Sequence, residues 1–231
     1  MVTIAELRHK TMTPEKYKNA KNDYFAFYIG RPVSYVLTIP FLALGIKPNT
    51  VSLMSLIPSI IGLILLGYTD SYELQVIGGL CFLLWNFLDG VDGNIARYTE
   101  KTSKLGVVWD ATSGYFAMTL TFCAMGLAAY HNTGSVLYEN AGFFTAIFCL
   151  LARLIMHKKM VVFAENSNEL NSKENYSPLK ILALNITSIS GFMQVIMMLT
   201  IIFSCIEIFV LVYCMIHFLI LILSMCKLLK E

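Results

Sequence analysis

The chain has 231 residues, of which 57% are hydrophobic and 14% charged, with a formal net charge of +2. Soluble domains carry about a quarter charged residues, so this composition excludes a single water-soluble core and points to lipid. The near-neutral charge argues equally against a nucleic-acid partner.

The first 25 residues, MVTIAELRHKTMTPEKYKNAKNDYF, are polar and charged. They lack the apolar stretch of a cleaved signal peptide, and the part near 14–28 suits a basic amphipathic helix on the cytoplasmic leaflet. Residues 32–46, PVSYVLTIPFLALGI, are apolar but short and carry Pro32 and Pro40. They are expected to lie at the interface or to re-enter the membrane. Residues 1–48 thus form a cytoplasmic and interfacial N-terminal segment, and 49–231 a transmembrane domain.

A span needs about 20 mostly apolar residues. Segments at roughly 51–68, 75–98, 105–130, 140–157, 181–203 and 206–226 meet that need. The last two are separated by Ser204 to Glu207, because one unbroken helix over both would be about 65 Å long. The fold class is therefore an all-α integral membrane protein with six transmembrane helices.

The positive-inside rule tests this count. With the N-terminus in the cytoplasm, the basic residues Arg8 to Lys21, Arg97 to Lys104, Arg153 to Lys180 and Lys227 to Lys230 all fall on one side. The opposite loops, 68–74, 131–140 and 204–207, contain no Lys or Arg. The six cysteines lie singly in or beside apolar runs, without a C-x-x-C pair, and are read as helix-interior thiols. The polar stretch 164–178 is a cytoplasmic loop without evident chemistry.

Ionisable residues inside a span are costly and mark function. Asp89 and Asp92 stand three apart and share a helix face, with Gly93 and Ala96 beside them. Gly106 and Asp110 repeat the pattern at the start of the next helix. Folding these helices antiparallel across 99–104 brings three carboxylates together beside bare backbone. Such a group needs counter-charge, and oxygen ligands alone point to Mg²⁺ or Mn²⁺ rather than zinc. Such ions would neutralise a pyrophosphate, and the small residues leave room for something flat, such as a base.

These residues resemble a known motif. Asp89-Gly90-Val91-Asp92-Gly93-Asn94-Ile95-Ala96-Arg97, eight residues, Gly106, three residues and Asp110 follow D-x-x-D-G-x-x-A-R-x8-G-x3-D-x3-D of the CDP-alcohol phosphotransferases. All spacings are kept, and every fixed position is matched except the last. Gly45 to Ser52 resembles the stretch that opens the family's first span. The resemblance implies a magnesium-dependent transfer in which an acceptor hydroxyl attacks the β-phosphorus of a CDP-linked alcohol and CMP leaves. It implies that Asp89, Asp92 and Asp110 ligate two Mg²⁺ (or Mn²⁺) ions. Gly93, Ala96 and Gly106 would leave space for cytidine, and Arg97 would neutralise the diphosphate. Asn49, Ser52 and Ser103 match positions that touch the nucleotide. A homodimer is implied as well.

The departure is at position 114, where the motif's final aspartate is replaced by Gly114. In the family that carboxylate is the proposed base for the acceptor hydroxyl, and losing a base costs about 10²–10⁴ in rate. No Asp or Glu follows until Glu139. Three readings remain open: His157, one turn after Arg153, is a substitute base; the acceptor is a phosphate oxygen that needs no deprotonation; or the site binds without turnover. Arg153 is expected to contact the acceptor's polar group. The expected function is transfer of a phosphatidyl-type group from a CDP donor, CDP-diacylglycerol first, to an acceptor alcohol in phospholipid synthesis. The expected location is the cytoplasmic membrane, with both termini and the site facing the cytoplasm. The rivals are a silent CDP-alcohol-binding relative and a cation-coupled transporter, the latter disfavoured because the charges cluster at one face.

Overall fold

A computed structural model describes residues 2–162 and 176–229. Lys173, Lys230 and residues 164–175 of the polar stretch lie outside the described residues. The described secondary structure is helical: α1 (Ile4–Thr11), α2 (Pro14–Ala20), a π-helical turn (Ala26–Gly30), α3 (Arg31–Ala43), α4 (Pro48–Gly67), α5 (Tyr72–Tyr98), α6 (Lys104–Thr133), α7 (Val136–Val162), α8 (Pro178–Thr187), α9 (Phe192–Ile202) and α10 (Ile206–Leu228).

Local chemistry sets the short N-terminal helices. Thr3 and Thr13 cap α1 and α2, accepting from the amides of Glu6 (3.2 Å) and Lys16 (3.3 Å), and Pro14 opens α2. Both are N-cap residue types, and proline suits the first helical position.

The chain divides into two compact units. The first comprises residues 1–59, 81–117 and 173–196; the second comprises 60–80, 118–172 and 197–231. In the first unit Val51, Val91 and Ile95 form a buried core, against which Leu37, Phe41, Leu42 and Ile46 pack. In the second, Gly126 and Gly142 let α6 and α7 touch backbone to backbone: a Cβ on Gly126 would lie 2.8 Å from the Gly142 Cα. Small residues at such a crossing are the usual device for close helix packing in lipid. Phe122, Phe209 and Tyr213 stack near His217 in the same unit.

Among the described residues, six single helices are long and apolar enough to cross a membrane: residues 26–43, α4, α5, α6, α7 and α10. The pair α8 and α9 meets that test together but is bent by 53°. Length alone therefore admits residues 26–43, whereas the sequence led us to expect an interfacial or re-entrant segment there. Lys16 and Arg31 line a cavity together with Asp89 and Arg97, at the C-terminal end of α5. Pro48 and Asn49, which open α4, line another cavity that shares Arg97. The segment thus starts and finishes beside the same turns of α5. A four-residue link joins α3 to α4.

The predicted single span 181–203 is instead broken. Ser188 has extended backbone, and the Gly191 amide donates to Ser188 O (2.9 Å). A Cβ at Gly191 would collide with the Asn185 carbonyl, so the bend requires glycine. The Ser-Ile-Ser-Gly run at 188–191 is the sequence signal for it.

Candidate active site

The turn between α5 and α6 places the carboxylates. Helix α5 ends in a Schellman motif: Lys101 N donates to Ala96 O (2.9 Å) and Glu100 N to Arg97 O (3.3 Å). Glu100 occupies the left-handed region at φ 56°, where glycine is the usual residue. Ser103 then caps α6, its Oγ accepting from Gly106 N (2.9 Å). Ser103 therefore has a structural part, and it also lines the adjoining cavity.

Across that turn Asp89, Asp92 and Asp110 converge. Each offers a carboxylate oxygen, and these oxygens lie within 4.8 Å of one another. Ser52 Oγ donates to Asp92 Oδ2, which orients that carboxylate from α4 as outer partners orient metal ligands. Asp89 Oδ1 is buried with no hydrogen-bond partner. Three negative groups this close repel strongly at low dielectric, and a buried carboxylate oxygen without a donor wants a cation. The residues present therefore fit a hard divalent ion bound by oxygen.

Two cavities flank the cluster. One, about 190 Å³, is bounded by Asn49, Ser52, Gly93, Ala96, Ser103 and Gly106, with Asp92, Arg97 and Asp110 at its margin. A side chain at either of its glycines would press on neighbouring side chains. A Cβ on Gly93 would lie 2.9 Å from Arg97 Nη2, and one on Gly106 3.1 Å from Ser103 Oγ and 3.3 Å from Asn49 Oδ1. The first-unit positions expected to bind nucleotide or metal are thus brought together around this cavity, with Asp89 behind them.

The other cavity, about 290 Å³, is basic. Lys16 from α2, Arg31 from the start of α3 and Arg97 line it, beside Asp89 and Asp110. Burial, then the charges of Arg97 and Arg31, push the Lys16 ammonium down to about 7. Three mutually repelling cations in one cavity form a site for an anion. Sequence reasoning missed Lys16 and Arg31, because their neighbourhood arises only from the folding of α2 and α3 against α5.

The supporting contacts are buried and polar. Asn94 Nδ2 donates to Ser34 Oγ (3.1 Å) and Thr38 Oγ1 (3.2 Å), tying α3 to α5, while Arg97 Nη2 donates to Asn94 Oδ1 (3.3 Å). Asn86 Nδ2 donates to Gln194 Oε1 (2.8 Å), and Gln194 Nε2 to Phe82 O (3.0 Å). Asn185 clasps the segment after α2, accepting from Tyr24 N (2.8 Å) and donating to Asn22 O (2.7 Å). These asparagine and glutamine links carry no motif and are invisible in sequence.

At Gly114 the site is open. Nothing lies within 4 Å of where a Cβ would stand. Its neighbour Ser113 is engaged, accepting from Trp85 Nε1 (2.9 Å) and paired with Ser55 Oγ (3.0 Å). Arg153 and His157 stand on α7 in the second unit. Arg153 there is within reach of the Cys149 thiol.

Comparison with known proteins adds two findings. The profile of the family described as CDP-alcohol phosphatidyltransferase matches residues 46–225. Cholinephosphotransferase 1 of Danio rerio is 30% identical over 98 residues, covering 38% of this chain and 26% of the relative. The match thus spans about a quarter of that relative's length.

Proposed function

The chain belongs to the CDP-alcohol phosphatidyltransferase family, and from that premise we propose that it moves a substituted phosphate from a CDP-linked alcohol to an acceptor in a lipid-forming reaction. The observation that carries this reading is the convergence of Asp89, Asp92 and Asp110 within 4.8 Å, between a cavity with a bare-backbone wall and a basic one. The first suits cytidine, and the second suits the diphosphate and the alcohol bonded to it. CDP-diacylglycerol is one donor of this class. The name of the Danio rerio relative directs attention equally to a CDP-linked choline, with a lipid alcohol as acceptor.

In this reading Asp89, Asp92 and Asp110 hold two Mg²⁺ or Mn²⁺ ions. Divalent ions held by these carboxylates would supply positive charge against the diphosphate. Ser52 fixes the Asp92 carboxylate, and Gly93 and Gly106 keep the base against the helix backbone. Lys16, Arg31 and Arg97 offset phosphate charge as it shifts in the transition state. The acceptor oxygen attacks the β-phosphorus, the bond from that phosphorus to the bridging oxygen breaks, and CMP departs with that oxygen. An acceptor hydroxyl must also surrender its proton. His157 is the proposed recipient and Arg153 the proposed acceptor contact; an acceptor that attacks through a phosphate oxygen needs neither. A homodimer in the cytoplasmic membrane, with the site facing the cytoplasm, completes the proposal.

The open space at Gly114 favours one second reading, a relative that binds a CDP-linked alcohol without turning it over. CMP release distinguishes them. Purified protein with Mg²⁺, a panel of CDP-linked alcohols and mixed acceptor lipids should release CMP in an acceptor-dependent way. Binding of CMP without any release would favour the silent relative, and absence of both would dismiss the family chemistry for this chain.

A further inference from the structure

The N-terminal helices enclose a third cavity, of about 520 Å³, that the transfer chemistry does not use. Arg8, Tyr17, Phe27, Tyr28, Arg31 and Tyr35 are among its lining residues, and none of the described lining residues is acidic. Its aromatic wall is braced by edge-on ring contacts, Tyr17 with Phe27 at 5.3 Å and Phe27 with Tyr28 at 5.0 Å. Tyr35 is only 5% exposed. Its hydroxyl and the Nε of Arg31 are both buried with no hydrogen-bond partner.

Buried donors without acceptors are costly and rare in native structures. A ligand that supplies acceptor oxygens removes that cost. The two guanidinium groups, unopposed by any carboxylate among the described lining residues, make the ligand an anion and suit a phosphate, which arginine grips with paired hydrogen bonds. Aromatic rings alone would also suit a quaternary ammonium, but Arg8 and Arg31 repel one.

Position names the source of the phosphate. The cavity lies where the chain passes from its charged N-terminal residues into the apolar segment 26–43. Tyr17 and Tyr28 around it are 44% and 66% exposed, as tyrosines at headgroup depth are. Ile4, Met12 and Val36 complete the lining and give the aliphatic part of a lipid a surface to meet. We propose that this cavity binds the headgroup phosphate of a net-anionic membrane phospholipid. Arg8 and Arg31 grip its oxygens, and the Tyr35 hydroxyl donates to one of them. The site holds whether or not the chain turns over, and shares only Arg31 with the residues assigned to the CDP-linked ligand. Arg31 also lines the basic cavity, so an occupied lipid site and that cavity share one guanidinium.

The test is titration of the full-length protein in detergent with short-chain phosphatidic acid, phosphatidylcholine of the same chain length, and inorganic phosphate, followed by native mass spectrometry. Phosphatidic acid should bind roughly tenfold tighter than phosphatidylcholine or inorganic phosphate, because it alone offers both the charge and the aliphatic surface. Arg8→Gln and the near-isosteric Tyr35→Phe should each weaken it several-fold to tenfold. Affinity of Arg8→Gln for CMP with Mg²⁺ should stay at the wild-type value, which shows that the fold survives. Equal binding of the two lipids, or wild-type phosphatidic acid affinity in both variants, overturns the proposal. Inorganic phosphate binding as tightly as phosphatidic acid overturns the lipid assignment.

Discussion

The last three turns of α5 and the matching turns of α6 face the same cluster of carboxylates, yet they are finished to different degrees. On α5 three polar side chains are held, Asp92 by Ser52, Asn94 by Ser34 and Thr38, and Asn86 by Gln194, while Asp89 Oδ1 is left for a ligand. On α6 Asp110 completes the trio, but one turn later Gly114 presents nothing and meets nothing within 4 Å. Preorganised side chains favour binding, while a proton acceptor in the right place favours turnover. The contrast separates a site built to hold a charged ligand from one equipped to react it.

The sharpest way to break that contrast is to fill the gap. Gly114→Asp has room for its side chain and should raise acceptor-dependent CMP release by about 10²–10⁴ if a hydroxyl acceptor lacks its base, with CMP affinity little changed. An unchanged rate would mean that the proton goes elsewhere or is not in play. Removing charge on the finished side should do the reverse. Asp92→Asn should weaken Mg²⁺-dependent CMP binding by roughly 100-fold, as loss of a charged partner does, read by calorimetry. Ser52→Ala, which leaves the carboxylate but frees it, should cost about tenfold in Mg²⁺ affinity.

A further effect concerns the basic cavity. With Lys16 held to about 7, its amine is mostly charged at pH 6 and mostly neutral at pH 8. Sulfate, which does not titrate in this range, should therefore bind more weakly as pH rises from 6 to 8, by roughly tenfold at most. Lys16→Gln should flatten that dependence, and an equally steep curve in the variant would assign it to another group. The smallest effect is structural. Glu100→Gly relieves a left-handed residue at φ 56° and should raise stability by about 0.5–1 kcal/mol, seen as a higher thermal midpoint with CMP binding retained.

Much of the site is legible in sequence because its residues are local. Asp89 to Arg97 lie on one helix, Gly106 and Asp110 on the next, and the intervening turn has only five residues, so spacing alone brings them face to face. The rest depends on distant pairing. Lys16 and Arg31 read as ordinary surface bases until α2 and α3 fold onto α5. Gln194 reaches Asn86 across 108 residues, and no periodicity encodes that partnership. The bend is marked in sequence by Ser188, Ser190 and Gly191, but hydropathy averaged over 181–203 outweighs three such positions. Gly114 is the converse case: it is plain in the sequence, and the structure adds that the space beside it is free.

The most direct measurement is calorimetric titration of the purified wild-type protein with CMP, in the presence and in the absence of Mg²⁺. A cluster of Asp89, Asp92 and Asp110 beside a nucleotide cavity predicts saturable binding of one CMP per chain that disappears when Mg²⁺ is removed and in Asp92→Asn. Binding that is indifferent to Mg²⁺, or no binding at all, would contradict a metal-assisted nucleotide site at these carboxylates.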